Sequence, residues 1–220
     1  MDIKHIYFPK QILILLLLAV ILNIGRVLIF HSNYFIYLIW NIFLAVIPFI
    51  LSSVLLWYAN NKKLNKTLLI IGGVFWLLLI PNAPYIITDI IHLNHNHIPS
   101  LLYDTFLVFS SAWVGLLLGM YSISHIEKII HIKYNNKTTS LIIAFIMLTT
   151  SFGMYLGRFM RFNSWDIFSN TSYFFTNIFR IILKPYNYVD AYLYTLLFFV
   201  FIYVSYKAWK YSLIEQKSNT

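Results

Sequence analysis

A chain of 220 residues that is 60% hydrophobic, 19% aromatic and only 10% charged has too little charge to cover the surface of a soluble domain. Its formal net charge of +9 sits on lysines scattered through short segments between apolar runs, not on a basic face. That pattern argues for membrane orientation and against nucleic-acid binding. With no cysteine in the chain, disulfides, thiolate metal sites and cysteine nucleophiles are excluded.

Six apolar runs each approach the roughly 20 residues that cross a hydrocarbon core. They lie near Gln11–Phe30, Tyr34–Ala59, Thr67–Ile87, Leu101–Ile126, Thr139–Gly157 and Tyr188–Lys207. The expected fold is an all-α polytopic membrane protein, a single integral membrane domain over residues 1–220. The first run has no small-residue cleavage site after it and reads as a retained helix. If the N-terminus is cytoplasmic, eleven basic residues fall inside: Lys4, Lys10, Lys62, Lys63, Lys66, Lys128, Lys133, Lys137, Lys207, Lys210 and Lys217. Outside fall four, namely Arg158, Arg161, Arg180 and Lys184, while Arg26 lies in the outer half of the first helix. The positive-inside rule then places both termini in the cytoplasm. The same orientation gathers Asp89, Asp104, Asp166, Asp190, His92, His95 and His97 on the outer side.

The third run contains Pro81-Asn82-Ala83-Pro84-Tyr85. Each proline lacks a backbone donor and disfavours helix in the residue before it, so a break is expected near Ile80. Fourteen residues from Thr67 to Ile80 rise only about 21 Å, which puts the break inside the membrane. Irregular backbone at that depth must be packed in protein or line a cavity, so a kink and a ligand-facing break both fit. Pro84 is expected to open a new turn, followed by Thr88, Asp89 and His92. The spacing of three puts Asp89 and His92 on one face. Asp89, His92, His95 and His97 could ligate a metal, yet their spacing matches no established motif. No metal or other cofactor is expected, and His95 and His97 read as loop residues.

On the fourth run Ser111, Gly115 and Gly119 recur every four residues, and on the fifth so do Thr149, Gly153 and Gly157. Small residues at that interval let membrane helices pack closely. Asp104 shares the first stripe and is expected to face the bundle interior. Arg158 and Arg161 lean toward the same interior if their helix continues. There, either an anionic headgroup or a structural aspartate suits a forked guanidinium. Asn163 is expected to cap a new helix with Asp166 at its third position, and Trp165 suits the headgroup interface. From Ile167 to Leu183, Phe168, Phe175, Ile178, Phe179 and Ile182 line one face of what reads as an outer interfacial helix.

These strings also carry a resemblance. Pro81-Asn82-Ala83-Pro84-Tyr85, Thr88-Asp89, His92-Leu93, Tyr103-Asp104 and Gly157-Arg158 through Arg161, Asn163-Ser164-Trp165-Asp166 resemble a family of bacterial integral membrane proteins catalogued only as a domain of unknown function. The likeness covers nearly the whole chain, with Phe162 where tryptophan is expected. It implies a bacterial plasma-membrane protein and supplies no activity, substrate or cofactor.

Three functions remain open from the residues. One is an outer-face protein that binds or processes an anionic envelope molecule, such as a lipid or polyprenyl phosphate. In it Arg158 and Arg161 hold the anion, and Asp89, His92, Asp104 and Asp166 are the catalytic candidates, aspartate orienting imidazole. Pro81, Asn82, Pro84, Asn163 and Trp165 shape the backbone. The others are a non-catalytic accessory protein of envelope assembly and a small-solute transporter. Whether the protein is an enzyme, and its oligomeric state, stay open. The six charged candidates are expected to form one cluster.

Overall fold

The computed structural model describes residues 9–61, 66–93 and 98–218. Lys4, Lys62, Lys63, His95 and His97 lie outside the described residues. Every element among those described is helical, as a bilayer requires of backbone that must satisfy its own hydrogen bonds. The helices are α1 (Lys10–Phe30), α2 (Tyr37–Asn60), α3 (Lys66–Leu79), α4 (Asn82–Tyr85), α5 (Ile98–His131), α6 (Asn136–Phe159), α7 (Asp166–Ser169), α8 (Thr171–Leu183) and α9 (Val189–Ser218). 3-10 turns cover Ile86–His92 and Pro185–Asn187. Among the described residues six stretches are long and apolar enough to cross a membrane: Lys10–Phe30, Tyr37–Asn60, Lys66–His92, Ser100–His131, Asn136–Phe159 and Val189–Ser212. This is a multi-pass membrane protein whose environment is lipid. Much of its outward surface is accordingly leucine, isoleucine and phenylalanine.

The chain divides into two compact units, Met1–Asn135 and Asn136–Thr220. In the first, α5 packs against α1, α2, α4 and the Ile86–His92 stretch, and α2 also holds α3. Its helices lie side by side as a bundle with two ends. Arg26 of α1 reaches Asp104 near the start of α5, so these two run antiparallel. Ser52 in the later half of α2 reaches His125 near the end of α5, so these two run parallel. One end of this unit, the His31 end, therefore holds the last turn of α1, the first turns of α2 and α5, and the Ile86–His92 stretch. The other is the Asn61 end.

The expected break in the third span is present. α-Helical pairing runs to Leu79, with Ile80 N–H still bonded to Trp76 O at 2.9 Å. Pro84 has no N–H to give the Ile80 carbonyl, and Ala83 N–H takes that acceptor instead at 3.1 Å. This tightens the spacing from four residues to three and leads into the 3-10 stretch. Pro84 stands third in α4, not first, and Pro81 holds the N-cap position with helical angles. The chain changes pitch without leaving the helical region.

The small-residue stripe of α5 explains where the break goes. A Cβ at Gly115 would strike the Ala83 carbonyl and lie 3.0 Å from Ile86 Cδ1; one at Gly119 would lie 3.5 Å from Ala83 and 3.6 Å from Pro84. The backbone of the break is thus pressed onto α5, which accounts for it as a packed kink. Gly115→Ala should cost about 2–3 kcal/mol, because a backbone carbonyl cannot step aside as a side chain can. Gly73→Ala, where a Cβ meets nothing within 4 Å, should be neutral or slightly stabilising. Thermal unfolding of the two variants in the same detergent checks the contrast.

In the second unit α6 packs along α9. Tyr155, Leu156, Phe174, Ile181 and Ala191 form its buried core, with Phe162, Ile167 and Ile178 against it. The single interfacial helix expected over Ile167–Leu183 is instead two pieces. Asn170, at φ −133° and ψ 47°, separates α7 from α8. Nor do the five expected residues act alike, since Ile178 joins the core while Phe168, Phe175, Phe179 and Ile182 are exposed. The inward face of α8 is Phe174, Asn177 and Ile181.

Candidate functional site

At the His31 end of the first unit two acidic side chains are buried, Asp89 at 1% and Asp104 at 6% exposure. Each is met by a residue that sequence reasoning did not single out as its partner. Asp104 accepts from Arg26 Nε at 2.5 Å and from Arg26 Nη2 at 3.2 Å, a two-pronged ion pair with both side chains almost wholly enclosed. The Arg26 guanidinium also lies 4.8 Å over the Phe30 ring, and Phe30 stands edge-on to Tyr103 at 5.4 Å. The Tyr103 hydroxyl donates to Leu22 O at 2.8 Å and fills the space a side chain at Gly25 would need. Asp104 faces the interior as its stripe implies, and its charge is answered from α1. The signal for this was the lone arginine inside an apolar helix, because such a charge needs a partner at membrane depth.

Asp89 accepts from Asn41 Nδ2 at 2.9 Å, and His92 meets the Tyr37 ring edge-on at 5.7 Å. The two contacts form a ladder. Residues i and i+3 eclipse in a 3-10 helix, residues i and i+4 share a face in an α-helix, and so Asp89 and His92 face Asn41 and Tyr37 across one seam. Thr88 Oγ1 closes the turn by donating to Tyr85 O at 2.6 Å. Among the described residues no three His, Asp or Glu side chains gather as a metal site would require.

The remaining candidates belong to the second unit. α6 stops at Phe159, so the helix does not continue through Arg161. Arg158 sits half-buried in its last turn, and Arg161 is exposed with φ 57°. Past this left-handed residue the chain turns back, and Phe162 N–H donates to Leu156 O at 3.2 Å. Glycine is the usual occupant of such a helix exit, since any Cβ is strained there. Asn163 does not cap α7 through its side chain: the N-cap position is Trp165, with no side-chain cap bond. Asp166 instead accepts from the Asn163 N–H at 2.7 Å and from Ser169 Oγ at 3.2 Å. That is the acidic half of the reciprocal cap expected here, and it rigidifies the loop that carries Arg161. Trp165 is about half exposed. Asp89, His92 and Asp104 thus belong to one unit, and Arg158, Arg161 and Asp166 to the other.

No curated protein matches the chain, and no solved structure does. One family model matches, described as a protein of unknown function, DUF1361, over residues 40–214. The match begins inside α2, so α1 and its Arg26 lie before it, while every candidate of the two motif strings lies within it. The chain belongs to the DUF1361 family.

Proposed function

We propose that the protein lies in a bacterial plasma membrane with both termini cytoplasmic and binds or processes an anionic envelope molecule, a lipid or polyprenyl phosphate, on the outer side. The lysine and arginine bias supports the orientation. The observation that carries the anion reading is Arg161, an exposed guanidinium at a left-handed position that glycine would occupy without strain. Strained residues held by their surroundings concentrate at functional sites. The Asp166 carboxylate ties down the same loop, and a guanidinium offers forked donors to a phosphate. In the first unit Asp89 and His92 are a candidate acid–base pair of their own, with Asn41 and Tyr37 beside them.

The accessory-protein reading draws on the Arg26–Asp104 pair, which accounts structurally for one of the buried acids. The transporter reading has less support, because the break in the third span is filled by α5. A strain lacking the protein, compared with its parent for lipid and envelope-precursor pools, tests the proposal. An accumulated phosphorylated intermediate that the wild-type protein clears is the expected result, and unchanged pools overturn it. Labelling of Lys63→Cys from outside intact cells by an impermeant thiol reagent would reverse the orientation.

A further inference from the structure

We propose that His125, with Ser52, Ser122 and Trp76, forms a proton-binding site in the Asn61 half of the first unit, where protonating the imidazole reverses the order of a hydrogen-bond chain. It stands apart from the outer-side reading and uses none of its residues. Ser52 and Ser122 are fully buried and Ser53 nearly so. Trp76 Nε1 donates to Ser122 Oγ at 2.7 Å. Ser122 has one proton and two acceptors in reach, Ser52 Oγ at 3.0 Å and the Pro48 carbonyl at 2.9 Å. Ser52 likewise has one proton and two acceptors, His125 Nδ1 at 3.1 Å and the Phe49 carbonyl at 2.9 Å.

Two orderings satisfy this set. With the ring neutral as the Nε2–H tautomer, Nδ1 is an acceptor, so Ser52 donates to it, Ser122 donates to Ser52, and Trp76 donates to Ser122. With a charged ring, Nδ1–H must donate. Ser52 then accepts and turns its own proton to the Phe49 carbonyl, which leaves Ser122 free to turn to Pro48 O. Acceptors for both orderings lie within reach, the Phe49 carbonyl for Ser52 and the Pro48 carbonyl for Ser122. The two carbonyls belong to the proline of α2 and to the residue after it, so protonation adds bonds to the backbone at that point. Trp76 has a donor and no acceptor, so a proton cannot pass beyond Ser122. The chain stores one proton and does not conduct it across the span.

The charged surroundings are sparse. α2 presents Ser52, Ser53 and the Phe49 ring, 5.5 Å away, and α3 presents Trp76. On α5 itself Lys128 is the charged neighbour, and Glu127, two residues on, points about 200° around the helix. Lys10, Lys66 and His131 are exposed at this end. Arg26 of α1, Asp89 of the 3-10 stretch and Asp104 of α5 lie at the His31 end, with Asp104 about 30 Å away by helical rise. Ser53, 3.3 Å from Nδ1 and 2.8 Å from the Phe49 carbonyl, is the competing route.

Nitrogen-15 NMR of the full chain in lipid nanodiscs, labelled at histidine and tryptophan, tests the site as pH is lowered through the imidazole range and below. The neutral ring should be the Nε2–H tautomer, and the Trp76 indole signal should shift at the same midpoint as His125. Ser52→Ala should leave His125 titrating while the Trp76 signal stops following it, and Ser53→Ala should leave the two coupled. A Trp76 signal that stays fixed while wild-type His125 titrates overturns the proposal. So does a neutral Nδ1–H tautomer, a ring that never protonates before the protein unfolds, or coupling lost in Ser53→Ala instead. The wild-type measurement alone decides if a variant does not fold.

Discussion

Replacing Asp104 with alanine is expected to cost the first unit about 3–5 kcal/mol, enough to abolish folded protein in most detergents. The loss comes less from the missing attraction than from what it leaves, the Arg26 guanidinium enclosed without its counter-charge. Arg26→Ala should cost a similar amount for the mirror reason. Because a buried pair replaced by apolar side chains is often close to neutral, the double variant Arg26→Leu with Asp104→Leu should recover most of the folded yield. Thermal unfolding and size-exclusion profiles of the singles and the double give the coupling. Losses that simply add would mean that the two side chains do not support one another. Rescue of Asp104→Arg by Arg161→Asp, with none by Arg26→Asp, would move the pairing to the second unit and contradict the structure.

The second large effect is expected at Arg161, where stability and function should separate. Arg161→Gly removes the left-handed strain and should raise stability by about 1 kcal/mol. On the anion reading the same change should lower affinity for a polyprenyl phosphate roughly 10- to 100-fold, the worth of charge-assisted hydrogen bonds. Arg161→Lys and Arg158→Lys keep the charge, and each should still lose most of that affinity, since an ammonium cannot reproduce a forked contact. Binding measured in detergent alongside thermal unfolding distinguishes the cases. Unchanged affinity in all three variants would remove the anion site. A glycine variant that unfolds more readily would show that the arginine side chain holds the loop by packing.

Composition and local chemistry were enough to read the class of this protein. Six apolar runs of membrane length mean spanning helices because hydrocarbon leaves the backbone no other partner. The paired prolines of the third run meant a break because a missing donor acts locally. The stripe through Ser111, Gly115 and Gly119 pointed to close packing for the same kind of reason, as helical spacing alone puts those residues on one face. What no local rule could supply was which helix lies against that face. Asp104 shares the stripe, yet its partner is Arg26, 78 residues away in sequence, and the Ala83–Pro84 backbone is what Gly115 and Gly119 admit. The same holds for Asn41 beneath Asp89 and for Ser52, Ser122 and His125, each unremarkable along the chain. Periodicity fixes the direction a side chain takes from its own helix. The neighbour it meets depends on how the helices are arranged in the bundle, and that is a property of tertiary packing.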